Sequence, residues 1–295
     1  MTARDGTRRD RPGGLVGVCM LVAMLTLAAS SAGLWLRGDG SFETVESVRG
    51  ERYEMATTGV YAWNARQVVV EGIGWDAFTL VIAVPALLLA LPTLARGSLR
   101  GRLFTVGVLA YLFYQYLMYS VTWAFGPLFL LFVAIYALSL VAIVWIVSTI
   151  PLAQLPGRLS DRFPRRGMAV LSFVLAAALV SMWLFRIVRA QESGVQGVLQ
   201  GQTTLVVQAL DLGLVVPLAL FTGVTAWRGR PVGYLLCSTV VVKAFAMASA
   251  ICAMLLATQV LGGELAVPPL VFFGAAAAAS AWLGVRMYRS VRAAP

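Results

Sequence analysis

Eight stretches of this chain are each apolar for about 20 residues, the length a helix needs to cross a hydrocarbon core about 30 Å thick. They lie near residues 15–36, 75–95, 103–123, 128–150, 169–188, 207–227, 232–259 and 266–286. Lipid offers no partner to a backbone N–H or C=O, so only helices and closed barrels can span it. Barrel strands alternate apolar and polar positions, and these runs do not. The expected fold is all-α: a polytopic membrane protein built as a bundle of eight transmembrane helices, with residues 1–295 forming a single integral membrane domain. Residues 1–14 and 287–295 are expected as cytoplasmic tails, and 37–74 as an outer loop whose amphipathic end reads either as an interfacial helix or as a lid.

A net charge of +10 raises the question of nucleic acid, but the distribution of that charge answers otherwise. Arg4, Arg8, Arg9 and Arg11 precede the first run; Arg96, Arg100 and Arg102 follow the second. Arg158, Arg162, Arg165 and Arg166 follow the fourth, Arg228 and Arg230 the sixth, and Arg286, Arg289 and Arg292 end or follow the eighth. An eight-helix topology places these sixteen arginines on one side and the remaining six on the other. That asymmetry is the positive-inside pattern, and it predicts cytoplasmic N- and C-termini. The lipid bilayer is the expected partner, and nucleic acid is not. The first run begins like a signal peptide but continues through Leu34, Trp35 and Leu36, so a retained helix is expected. In its style the sequence resembles multi-pass membrane proteins of high-GC bacteria, which suggests a bacterial inner membrane and carries no function with it.

The absence of histidine removes the commonest metal ligand and neutral-pH proton shuttle. Cys19, Cys237 and Cys252 all fall in apolar runs, the last two about 22 Å apart along one helix, too far to bridge. Neither a metal nor a cofactor is called for by any motif.

Two polar residues stand inside apolar runs. Lys243, the only lysine, lies between Val242 and Ala244, and Asp211 is the one carboxylate well inside a run. An unpaired charge at mid-bilayer costs about 2.5–3.5 kcal/mol on insertion scales, so each needs a partner or water. Asp211 lies roughly 7 Å below the outer face and Lys243 roughly 14 Å. Outward extension of the lysine would bring them level, although helical side chains lean toward their own N-terminus, here the inner side. Two readings stand: a buried ion pair fixing helix register, or the charged lining of a path. A retinal Schiff base on Lys243 would want a carboxylate in helix three, which has none.

In helix three, Tyr111, Gln115 and Tyr119 share a face by their four-residue spacing. They read either as interhelical glue or as a polar cavity wall. Pro85 and Pro217 each deprive a carbonyl of its helical partner, at Val81 and at Gly213 respectively. Arg186, Arg189, Gln191, Gln196, Gln200 and Gln202 form a polar mouth, and Trp183 reads as a boundary aromatic.

The prolines also enter a parallel 4+4 repeat. Val84-Pro85 is followed by Arg96-Gly97 at the same distance as Val216-Pro217 by Arg228-Gly229. Counted from Arg102 and Arg230, Gln115 aligns with Lys243. Parallel repeats occur in transporters, while apolar sequence aligns easily by chance. The leading functional expectation is translocation of a small polar solute or ion, with Lys243 and Asp211 as the site, Gln115 and Tyr119 as its wall, and Asp76 and Arg66 as an outer gate. The alternatives are an embedded enzyme acting on a lipid or isoprenoid, with Asp211 or Asp76 as general acid, and a non-catalytic scaffold or sensor.

Overall fold

The computed structural model describes residues 12–194, 198–261 and 263–292. The arginines at 4, 8, 9 and 11 and Gln196 lie outside the described residues. Eight helices are each long and apolar enough to span a bilayer, and the chain is a multi-pass membrane protein. They are α1 (Pro12–Trp35), α2 (Arg66–Ala95), α3 (Leu99–Thr122), α4 (Phe129–Ser148), α5 (Arg165–Ser193), α6 (Val206–Trp227), α7 (Pro231–Val260) and α8 (Val267–Ser290).

The segment between α1 and α2 forms an antiparallel hairpin, β1 (Phe42–Glu46) with β2 (Arg52–Ala56). The alternation of exposed Arg52 and Glu54 with half-buried Tyr53 and Met55 suits a pleated ribbon, and Gly50 at φ +78° closes the turn. The last nine residues of the expected outer loop are already helical. Arg66–Gly74 is the first part of α2, continuous with the span, because Arg66, Gln67 and Glu71 mask a helix that hydropathy alone starts at Trp75. Asn64 fastens the segment to the bundle by accepting the Ala124 amide at 2.8 Å and donating to the Tyr61 carbonyl at 3.1 Å.

Chain direction alternates, so the hairpin marks one end of the bundle and the arginine clusters after α2, α4, α6 and α8 mark the other. At the arginine end, Arg102 donates to the Thr149 carbonyl at 2.9 Å and Arg100 to the Val291 carbonyl at 3.0 Å. These bonds fasten the last turn of α8 and the α4–α5 connection onto α3.

Helices α1–α4 pack together, as do α5–α8, with α3 and α7 crossing at the centre. Close approach there needs glycine: a Cβ on Gly107 would fall 2.5 Å from Val242, and one on Gly74 would fall 2.4 Å from the Met254 backbone. Helix α2 thus lies tightly on α7, whereas α3 and α6 meet over a shorter stretch.

Both prolines sit just after a wide turn. Thr79–Ala83 in α2 and Asp211–Val215 in α6 are π-helical, with the amides of Val84 and Val216 bonding back to the carbonyls of Thr79 and Asp211. A wider turn accommodates the proline ring that would clash with the preceding turn. The match continues at a constant spacing of 132 residues. Arg96, Gly97 and Ser98 donate to the carbonyls of Pro92, Leu94 and Thr93; Arg228, Gly229 and Arg230 donate to those of Val224, Ala226 and Thr225. Gly101 lies against Thr93 and Leu94, and Gly233 against Thr225 and Ala226, both so close that a Cβ would stand 2.5 Å from its neighbour. In this register the counterpart of Lys243 is Tyr111. The alignment of Lys243 with Gln115, taken from Arg102 and Arg230, is off by four residues, one helical turn.

Candidate functional site

A cavity of about 860 Å³ lies among α3, α5, α6, α7 and α8, with the first turns of α2 at its mouth. Its walls are mostly apolar, with Leu175, Leu179, Met182, Phe272, Phe273 and Ala276 prominent. At the hairpin end the mouth is polar, formed by Gln67, Glu71, Arg186, Gln200 and Gln202. Gln200 donates to Gln67 and Gln202 to the Thr122 carbonyl at 3.3 Å, so the α5–α6 connection is strapped across the mouth. Toward the arginine end the cavity stops at a packed layer of Met168, Ala226, Cys237, Val241, Leu283 and Met287. Helices α5 and α8 touch near Gly167 and Leu283 and diverge beyond, leaving the lining residues Val174 and Phe272 exposed to the side.

The polar node is at mid-depth. Asp211 opens the π-turn of α6, and its buried carboxylate accepts the Tyr114 hydroxyl and, at 2.8 Å, Nε1 of Trp183. Lys243 places Nζ 3.9 Å from the ring centroid of the same Tyr114. A cation on a tyrosine face is attracted by the ring's negative quadrupole. No ion pair within 4.0 Å joins Lys243 to Asp211 among the described residues. The two charges are brought to one cavity and to one tyrosine, the ammonium over its ring and the carboxylate at its hydroxyl. The separation follows from side-chain direction: α7 begins at the arginine end, so the lysine leans that way, while two donors hold the aspartate.

The other expected site residues lie elsewhere. Gln115 is 1% exposed, does not line the cavity, and has both amide atoms buried without a hydrogen-bond partner. Its face packs toward α2, where the neighbouring Tyr111 meets Thr79 at 2.8 Å. Tyr119 borders the cavity with its ring and reaches Asp76 with its hydroxyl at 3.5 Å. Asp76 is 2% exposed and accepts the Tyr61 hydroxyl at 2.5 Å, behind the cavity wall. Gly33 of α1 packs against both groups. Arg66 pairs with Glu54 at 2.8 Å and covers the Phe42 ring, a surface contact of the hairpin. Arg66 and Asp76 therefore do not meet, and neither lines the main cavity. Val81 and Gly213 also lie outside its lining, on exposed helix faces.

Trp183, Tyr114 and Ser280 complete the site beyond the expected set. Trp183 looks like a boundary aromatic from its place near the end of an apolar run, yet its ring N–H serves a carboxylate. Ser280, one residue from the end of an alanine run, is buried beside the cavity with an unpartnered hydroxyl. Neither has a sequence signal that separates it from an anchoring or packing residue.

Comparison with known proteins leaves this description to stand alone: no family model, no curated protein and no solved structure matches the chain.

Proposed function

We propose that the protein is a membrane carrier in which two four-helix copies enclose a solute site at Lys243 and Asp211. The single observation that carries this reading is a charged node inside a large cavity that opens at the hairpin end and is stopped by a packed layer at the other. A buried ammonium and carboxylate left unpaired with each other make poor register pins, because a structural pair gains from direct contact. They suit a site whose partner arrives from outside. The recurrence at 132 residues supports a duplicated chain, and parallel repeats are a common basis for movement of one half against the other. The tight α2–α7 contact and the looser α3–α6 contact break the symmetry, which supports one of two alternating arrangements. Twelve arginines among the described residues at the closed end support a cytoplasmic assignment for it.

The mainly apolar wall shifts the expected solute. A small inorganic ion or a uniformly polar molecule would face phenylalanine, leucine and methionine over most of the cavity. A solute with one polar end and an apolar body fits better, and cavities of about 300–1,000 Å³ suit such molecules.

Cys237 offers a native reporter, since it belongs to the packed layer and is 1% exposed. In a Cys19→Ala, Cys252→Ala background reconstituted in vesicles, a membrane-impermeant thiol reagent should reach Cys237 slowly from the arginine end as the carrier alternates. A Cys237 that reacts only after unfolding would contradict alternating access.

A further inference from the structure

The carrier reading leaves the solute's charge open, and the surroundings of Lys243 address it. We propose that Lys243 receives the anionic head of a single-chain amphiphile, a carboxylate or phosphate, whose apolar body lies between α5 and α8. This inference rests on the carrier reading for its choice of cavity.

Four observations converge. First, Nζ of Lys243 has an aromatic face beneath it and, among the described residues, no hydrogen bond and no ion pair. An ammonium has three N–H donors, and an apolar chamber penalises leaving them unsatisfied. Second, the carboxylate in the same chamber is already engaged. Asp211 takes one donor from Tyr114 and one from Trp183, so an arriving cation would have to displace them while still facing the lysine. An arriving anion faces the same carboxylate but displaces neither of its donors. Third, Ser280 adds an unpartnered buried hydroxyl to the wall of the same chamber, a further unsatisfied donor there. Fourth, the chamber is open sideways: α5 and α8 diverge from their contact near Gly167 and Leu283, and Val174 and Phe272 line the gap. An acyl-like chain could enter from the bilayer without leaving hydrocarbon.

The first half of the chain provides an internal comparison. At the spacing of 132 residues, Thr79 stands for Asp211 and Tyr111 for Lys243. There the two neutral hydroxyls bond each other at 2.8 Å across α2 and α3, and Tyr111 is fully buried. That position is self-satisfied. Its counterpart places an ammonium with no hydrogen bond and no direct ion pair among the described residues on the lining of the larger cavity, so the unsatisfied donor group is particular to the second half.

The test is quenching of tryptophan fluorescence by brominated probes in neutral phosphatidylcholine vesicles. Trp75, Trp123 and Trp183 all border the cavity. The probes are 9,10-dibromostearate, its uncharged methyl ester, and a dibrominated phosphatidylglycerol. The acid should reach half-maximal quenching at about a tenfold lower mole fraction than the ester, the effect of one charge-assisted contact. Lys243→Met should remove that difference, and Lys243→Arg should keep it. Equal quenching by acid and ester in the native protein would overturn the proposal, and that comparison needs no variant to fold. A lysine-dependent excess for phosphatidylglycerol that matches or exceeds the acid's would overturn the single-chain assignment and make the occupant a membrane lipid. The assay needs no transport, so an anion preference without Cys237 labelling would sink the carrier reading alone, and Cys237 labelling without a preference would sink this one alone.

Discussion

The side chain of Tyr114 joins Lys243 to Asp211: the ammonium lies over its ring, 3.9 Å from the centroid, and its hydroxyl donates to the carboxylate. One side chain on the central helix therefore serves both charges, and it is also the polar link between α3 and α6. Tyr114→Phe keeps the ring and removes one of the two donors to Asp211. It should cost about 1–3 kcal/mol, the range for leaving a buried acceptor short of a partner. Tyr114→Ala removes the cation's aromatic seat as well and should cost about 3–5 kcal/mol. Thermal unfolding in detergent would rank the two: equal losses would show that the ring adds nothing beyond the hydroxyl, and an unchanged Tyr114→Phe would show that the hydroxyl carries nothing.

Asp76 has a different task from Asp211, and Gly33 exposes it. A Cβ on Gly33 would lie 2.0 Å from the Asp76 carboxylate and 2.1 Å from the Tyr61 hydroxyl. Gly33→Ala should therefore force apart the bond that ties the hairpin segment to α2, destabilising by about 1–3 kcal/mol as overpacking does. Gly17→Ala on the same helix, where nothing lies within 4 Å, should be neutral or slightly stabilising. Limited proteolysis between β2 and α2 reads the loosening directly; identical digestion of both variants would refute the assignment.

The match between the halves predicts paired sensitivities. Gly101→Ala and Gly233→Ala should each disrupt a helix-to-helix corner, because each Cβ would stand 2.5 Å from its neighbour. Both variants should lose stability by similar amounts, about 1–3 kcal/mol. A tolerated substitution at one site only would mean that the corners resemble each other without equivalent packing.

Asp39, outside the spans, controls the pH response of the hairpin segment. Hydroxyls of Thr58 at 2.6 Å and Ser41 at 2.7 Å, with the Ser41 amide at 3.0 Å, lower its pKa to about 2. A lowered carboxylate contributes stability that is present above its unfolded value near 4 and lost as pH falls toward the folded value. Exchange of the Ser41 amide should therefore speed up below about pH 4 in native protein, beyond the intrinsic trend. Asp39→Asn should show no such acid-dependent step; a step that persists there would assign it to another group.

Much of the architecture could be read from the chain because each span is a long apolar run and lipid permits few alternatives. The errors have physical causes. Arg66–Gly74 is helical but carries Arg66, Gln67 and Glu71, so hydropathy ends the span early. The alternation in Arg52–Ala56 is a genuine strand signal, short enough to be lost inside an acidic segment. Lys243 and Asp211 stand out because charge in lipid is costly whatever surrounds it. Gln115 and Tyr114 show the limit of that argument: both are polar, one residue apart, and about 100° of helix rotation separates them. Periodicity groups Gln115 with Tyr111 and Tyr119, but only packing decides that this face meets α2 while Tyr114 meets the cavity. Asp76 is as buried as any residue of a site, yet its partners, Tyr61 and Tyr119, come from a loop and another helix.

The central claim is that Lys243 lies in a cavity reached from the hairpin end. In a background lacking Cys19, Cys237 and Cys252, the measurement is labelling of Lys243→Cys and its lining neighbour Ala244→Cys by a membrane-impermeant thiol reagent added from that side, with Gln115→Cys for comparison. The account predicts that both cavity positions react and that Gln115→Cys, buried behind the wall, does not. Silence at 243 and 244 in folded protein, or reaction at 115 as fast as at either, would contradict it.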